Sequence, residues 1–145
     1  MIIIAHDIRS LYNVGSIFRN AAAFGVEKVY LTGYTAVPPR KEIAKVALGG
    51  EQLVDWEAGV IEVVIDELRG RGYQIFGLET GEKTIPIEQA PRVPIALVLG
   101  NEVTGIPKEI QEKLDGLLEI PMEKKRSLNV SVASGVAMFI LQERS

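Results

Sequence analysis

Apolar runs alternate with helix-period segments along the whole chain, which predicts an α/β domain built on a largely parallel sheet flanked by helices. Two further observations point the same way. Ile95–Leu99 is continuously apolar, as a strand buried on both faces has to be. Most of the 14 glycines and the 7 prolines punctuate the chain between periodic segments, so no stretch reads as a low-complexity tail.

The elements follow in order. Met1–Ala5 is the first strand. Asn13 to Phe24 reads as a helix, with Asn13 as its N-cap and Gly25 as its stop. Glu27–Leu31 is a second strand ending in Thr32–Gly33. Pro38–Pro39 opens a short helix through Leu48, closed by Gly49–Gly50. Leu53–Trp56 reads as a third strand, Val60–Arg69 as an amphipathic helix and Tyr73–Leu78 as a fourth strand. Residues 79–92 read as loop. After Ile95–Leu99 come the turn Gly100 to Gly105, a helix starting near Pro107, and the last strand, Leu117–Ile120. The loop Pro121 to Arg126 then leads into a final helix from Ser127 to about Gln142.

Bulk properties narrow the class. At 145 residues the chain is expected to form one domain over 1–145, and its 47% hydrophobic and 24% charged residues are those of a globular protein. Cysteine is absent, which excludes disulfides, thiolate metal sites and cysteine nucleophiles. The one histidine, His6, cannot make a zinc site by itself. Met1–Ala5 has no basic flank and runs straight into His6, Asp7 and Arg9, so it is a strand and not a signal peptide. No apolar run approaches the ~20 residues needed to span a bilayer. A cytoplasmic protein with no membrane partner is expected. The net charge of −3 argues weakly against nucleic acid. Phosphate binding depends on local clusters, however, and Arg40–Lys41 with Lys45 and Lys124–Lys125–Arg126 are two such clusters.

Three polar segments each follow a strand, where open α/β sheets place ligands. In Asn13-Val14-Gly15-Ser16-Ile17-Phe18-Arg19, Asn13 and Arg19 fall near the expected helix start, a favourable place for anions. Gly15 costs helix stability there and so suggests a close backbone approach. In Leu99-Gly100-Asn101-Glu102-Val103-Thr104-Gly105, a glycine at the end of a buried strand lets a flat ligand lie against bare backbone. Ile120-Pro121-Met122 is followed by Ser127-Leu128-Asn129-Val130-Ser131, with polar residues in the first turn of an otherwise apolar helix. Each segment also has an ordinary explanation as a capped helix or a strand-to-helix turn. No G-x-G-x-x-G or Walker A sequence is present.

Taken together, the three segments resemble the SpoU/TrmH branch of the SPOUT superfamily of RNA methyltransferases. The resemblance runs over nearly the whole chain, and Leu48-Gly49-Gly50-Glu51 resembles a further landmark of that family. Val46, Ala23 and Gly50 depart from common family residues without touching the main motifs. The resemblance implies a parallel sheet whose C-terminal part is threaded into a trefoil knot, with no added RNA-binding domain in this sequence. It also implies a homodimer in which the active site is completed across the interface. The final helix supports that independently, since Val130, Val132, Val136, Ala137, Phe139 and Ile140 make it apolar on more than one face.

The activity implied is S-adenosylmethionine-dependent 2′-O-methylation of the ribose of an RNA; the short form and near-neutral loops slightly favour tRNA over rRNA. The implied cofactor pocket is Thr32, Gly33, Leu99, Gly100, Asn101, Ile120, Met122 and Leu128. No metal is needed, because a sulfonium already carries a good leaving group. The implied catalytic set is Arg19, Asn13, Glu102, Ser127 and Asn129. Guanidinium stays protonated in proteins, so Arg19 is better cast as a grip on phosphate and on the developing alkoxide than as a base. Asn13 and Asn129 would position ribose and phosphate, Glu102 would orient Arg19 or the RNA, and Ser127 would bind backbone phosphate. Two alternatives differ in class. One is an inert S-adenosylmethionine- or RNA-binding module of the same fold, which does not require Arg19, Glu102, Ser127 and Asn129 together. The other is a conventional nucleotide-binding α/β enzyme, which expects a glycine-rich first loop where Asp7–Tyr12 has no glycine.

Overall fold

A computed structural model describes residues 1–142. The strands are β1 (Ile2–His6), β2 (Lys28–Thr32), β3 (Asp55–Gly59), β4 (Gln74–Leu78), β5 (Thr84–Pro86), β6 (Ile95–Leu99) and β7 (Gly116–Glu119). They form one sheet in the order β3-β2-β1-β6-β4-β7-β5, and every pairing is parallel. The helices are α1 (Leu11–Ala23), α2 (Lys41–Ala47), α3 (Gly50–Leu53), α4 (Ile61–Gly70), α5 (Lys108–Gln111) and α6 (Val130–Leu141).

The period of two along a strand explains the layers. In β1, Ile3 and Ala5 enter one core, where Val14, Ile17 and Phe18 of α1, Ile43 of α2 and Met138 of α6 meet them. Ile2 and Ile4 enter the opposite core with Ile61, Ile65 and Leu68 of α4 and with Ile106 and Ile110 around α5. The central pair β1 and β6 is therefore buried on both faces, as the apolar run Ile95–Leu99 required. Among the described residues, no helix is long and apolar enough to cross a membrane.

Several boundaries differ from expectation. Helix α1 is capped by Ser10, whose Oγ accepts the Asn13 N–H at 3.2 Å, so Asn13 lies inside the helix rather than at its cap. The Pro38–Pro39 pair precedes α2 without joining it. The first helical bond there runs from the Ala44 N–H to the Arg40 carbonyl, and Leu48 and Gly49 end the helix in left-handed conformations. Leu53 closes α3 and is 78% exposed, and the third strand begins only at Asp55. That strand is a sheet edge with charged, exposed residues, which hid it from an apolar criterion. Residues 79–92 contain β5 and a short 3-10 turn at Ile87–Gln89. Three edge residues ending in proline are too few to give an alternation. The final helix begins at Val130 and not at Ser127, leaving 127–129 as loop.

Helices α1 and α6 are joined by polar contacts. The Asn20 amide donates to the Ser131 carbonyl and to Ser134 Oγ, both at 3.0 Å, and Ser134 Oγ donates to the Ser131 carbonyl at 2.9 Å. Gly15 serves the close approach its position suggested, but toward the protein itself. A Cβ there would stand 2.6 Å from the Ile43 carbonyl oxygen of α2. Gly15→Ala is expected to force α1 and α2 apart and to lower stability by about 1–3 kcal/mol, the usual cost of overpacking, measured by urea unfolding.

Candidate functional site

Because the strands are parallel, the loops that follow β4, β6 and β7 gather at one rim of the sheet. With Ser127, Leu128 and Val130 they enclose a cleft of about 230 Å³ that opens to solvent. Leu78, Leu99, Ile120, Leu128 and Val130 supply apolar wall, and Glu79, Thr80, Asn101 and Ser127 supply polar groups. Such a mix suits a flat heterocycle with a polar tail. Among the described residues, no group of three or more His, Asp or Glu side chains could hold a metal ion.

The loop after β6 owes its shape to Gly100 and Asn101. A Cβ on Gly100 would stand 2.6 Å from the Gly105 carbonyl carbon and the Ile106 nitrogen, so the bare backbone here accommodates the returning chain. Asn101 Oδ1 accepts the Val103 and Thr104 N–H groups at 2.8 and 2.9 Å. Its Nδ2 donates to the Asp7 carbonyl at 2.9 Å and to the Tyr34 hydroxyl at 2.7 Å. Asn101 lines the cleft as expected, but its side-chain amide is committed to bracing three loops.

Glu102 binds the start of α1. Its Oε1 accepts the Arg9 N–H at 2.9 Å, and its Oε2 accepts the Ser10 N–H at 2.9 Å and the Asn13 amide at 2.8 Å. Partial burial pushes this carboxyl up. The bonds from the Arg9 N–H, the Asn13 amide and the Ser10 N–H outweigh it and hold the group below the usual carboxylate range. Glu102 was expected to orient Arg19 or RNA. Instead it orients Asn13 and the N-terminal turn of α1, at the edge of the cleft.

Six of the eight expected cofactor residues line the cleft: Leu99, Gly100, Asn101, Ile120, Met122 and Leu128. Thr32 and Gly33 do not. Strand β2 is separated from β6 by β1, so its end lies two strands away from the cleft. Thr32 is fully buried with its Oγ1 2.9 Å from His6 Nδ1, and Gly33 packs against Asp7. Of the expected catalytic residues, Glu102 and Ser127 line the cleft. Asn13 reaches it through Glu102. Asn129 is exposed between the cleft residues Leu128 and Val130.

Arg19 stands apart. Because α1 starts at Leu11, Arg19 is in its third turn, about 12 Å along the axis, and not near the helix start. It lines a separate groove between α1 and α6, with Phe24, Val132, Val136 and Phe139. Sequence reasoning missed Glu79, whose Oε2 accepts the Ile106 N–H at 2.8 Å, and Thr80 beside it. The available signal was their position directly after β4, the rule already applied to the other strands.

The folded pKa of Glu102 is depressed, so its contribution to stability is present above the unfolded value near 4.5 and is lost as pH falls through the lower folded value. Glu102→Ala is expected to cost about 1 kcal/mol at pH 7, on the scale of a lost helix cap. The gap to wild type in thermal melts should close as the pH drops below 4.5.

The profile of the SpoU rRNA methylase family matches residues 1–139. The chain is 31% identical over 146 residues to the 23S rRNA (guanosine-2′-O-)-methyltransferase RlmB of Coxiella burnetii, covering 99% of this chain and 58% of that protein. The AdoMet-bound rRNA methyltransferase of Sinorhizobium meliloti superposes with a TM-score of 0.91 at 25% identity, covering 98% of this chain and 55% of that one. A structure described for the 2-OH methylation of C/U34 on tRNA superposes with a TM-score of 0.83 at 25% identity, covering 95% and 91%. The chain thus spans a little over half the length of the curated relatives it matches. The match runs through the sheet, the cleft and most of α6, and the chain belongs to the SpoU rRNA methylase family.

Proposed function

We propose that this chain is an S-adenosylmethionine-dependent RNA 2′-O-ribose methyltransferase acting on tRNA or rRNA in the cytoplasm, metal-independent and active as a homodimer. The observation that carries the proposal is the cleft at the ends of β4, β6 and β7, in a chain of a methylase family with an AdoMet-bound neighbour. The walls fit that cofactor: Leu99, Ile120 and Leu128 offer apolar surface to adenine, and Glu79 and Thr80 offer polar groups to ribose and to the amino-acid tail. When bound, the sulfonium supplies an electrophilic methyl group to the ribose oxygen and leaves as a neutral thioether.

The chain's own residues then have defined tasks. Asn13, held by Glu102 at the lip, positions the ribose or its phosphate. Ser127 and Asn129, exposed beside the cleft, bind backbone phosphate, with Lys124 and Lys125 in the same loop adding positive charge. Arg19 grips phosphate and stabilises the alkoxide that forms as the 2′-OH passes its proton to phosphate or water.

One observation favours a second reading. Arg19 and the cleft lie in different places within one chain, and a lone chain would be a binder without its key cation. The exposed Val132 and Phe139 beside Arg19 support the dimer reading instead: a second copy covering the α1–α6 groove would bring Arg19 to an interface. We therefore assign Arg19 to a site completed by two chains.

S-adenosylhomocysteine should bind in EDTA by calorimetry, and no heat at millimolar ligand would overturn the assignment. Sedimentation at micromolar protein should show a dimer, and Phe139→Glu should weaken both dimer and methylation. Arg19→Ala should leave cofactor affinity nearly intact while slowing RNA methylation about a hundredfold to a thousandfold. Arg19→Lys should rescue little, because lysine lacks the planar two-point grip.

A further inference from the structure

Strands β1 and β6 are neighbours, yet their connections leave for opposite faces of the sheet. The chain after β1 enters α1, which packs in the core with Ile3 and Ala5, while the chain after β6 leads to Ile106 and α5 on the other face. Such a divergence opens a crevice beyond the strand ends, and in open α/β sheets that crevice is a preferred place for ligands. Here it forms a second concavity, lined by Arg9, Tyr34, Asn101, Val103 and Thr104. It shares Asn101 and Val103 with the cleft already described and so adjoins it.

The crevice carries an aromatic side chain that does not fit a purely structural role. Tyr34 is 60% exposed, although its position is secured at two points. Its hydroxyl accepts the Asn101 amide at 2.7 Å and its backbone N–H donates to Asp7 Oδ1 at 3.1 Å. Most exposed tyrosines keep their rotamer freedom, and a tethered one has already lost that entropy before any ligand arrives. Beside it, Arg9 is exposed with its backbone N–H held by Glu102, and Val103 is 80% exposed at the tip of the loop. An immobilised ring, an adjacent cation and an apolar tip are the elements of a platform for a nucleobase and its phosphate.

We propose that Tyr34 and Arg9 form a nucleotide subsite: the base of a nucleotide next to the methylated one stacks on the Tyr34 ring, and Arg9 contacts its phosphate. The proposal rests on the RNA reading above and deepens it. The ring provides the binding surface and the hydroxyl only its tether, so the two parts of the side chain have separable effects.

The test measures three quantities on the intact protein. Anisotropy follows binding of a fluorescein-labelled, mixed-sequence 12-nucleotide oligoribonucleotide and of labelled unfractionated bacterial tRNA. Calorimetry follows S-adenosylhomocysteine binding, which also reports that each variant is folded. Tyr34→Ala is expected to weaken RNA binding roughly 5- to 150-fold, the range for losing one base–aromatic stack, with cofactor affinity unchanged. Tyr34→Phe should stay within about threefold of wild type, because the ring remains. Arg9→Gln should weaken binding and flatten its dependence on salt. Wild-type RNA affinity in Tyr34→Ala, in a protein that binds both RNA and cofactor, would overturn the subsite alone. Cofactor binding with no RNA binding by the wild type to either probe would overturn the RNA reading, and the subsite with it.

Discussion

The pairing of β1 with β6, buried on both faces, is the constraint from which the rest of the architecture follows. Two strands without a solvent face need helices on each side, and parallel strands need a crossover between each pair. Such a sheet brings the loops that follow its strands together at one rim. The divergence of the chain after β1 and β6 opens a crevice there, and the ends of β4 and β7 extend it into the cleft. His6 is the one polar side chain in the central pair β1 and β6. It is buried and engaged with Thr32 of β2.

The rim is held by long-range polar contacts. Asn101 and Glu102 are neighbours in sequence and connect the loop after β6 to Asp7, Arg9, Ser10, Asn13 and Tyr34. One short segment therefore shapes its own turn, seats the first helix and tethers an exposed ring. The residues that look most like catalysts in a motif are here partly positioning groups. Their polar atoms are spent on the protein, and exposed neighbours are left to meet a ligand.

The fold class was legible because burial on two faces leaves a mark in composition: Met1–Ala5 and Ile95–Leu99 are apolar without interruption. Edge strands leave no such mark. Strand β3 is charged and β5 is three residues long, and both were misplaced or missed. The cleft was legible to the extent that each segment announced itself next to a strand end, as with Leu99–Asn101 and Ile120–Met122. Strand order cannot be read from a single chain, and Thr32 and Gly33, implied for the pocket by the resemblance, end a strand two positions from the cleft. Arg19 lies farther from the helix start than the sequence implied for a smaller reason: a cap at Ser10 rather than Asn13 sets it a turn deeper into the helix. Tyr34 stands just after β2, but its tether was not legible, because the bond to Asn101 spans 67 positions.

The separation of β1 from β6 has a consequence for how the protein is made. Pairing Ile2 with Ala96 and Ala5 with Leu99 requires partners more than ninety residues apart. At roughly 5–20 residues per second, a ribosome finishes β6 some 5 to 20 seconds after β1. Throughout that interval one edge of an isoleucine-rich strand has no neighbour, and Asn101 and Glu102 do not yet exist to seat the first helix. The nascent chain can acquire β1, β2 and α1 early, but neither concavity can take shape until the strand between β1 and β4 has been inserted. Competence to bind a ligand in either concavity thus waits on β6, and until β6 is made the open edge of β1 is the part of the sheet most exposed to mispairing.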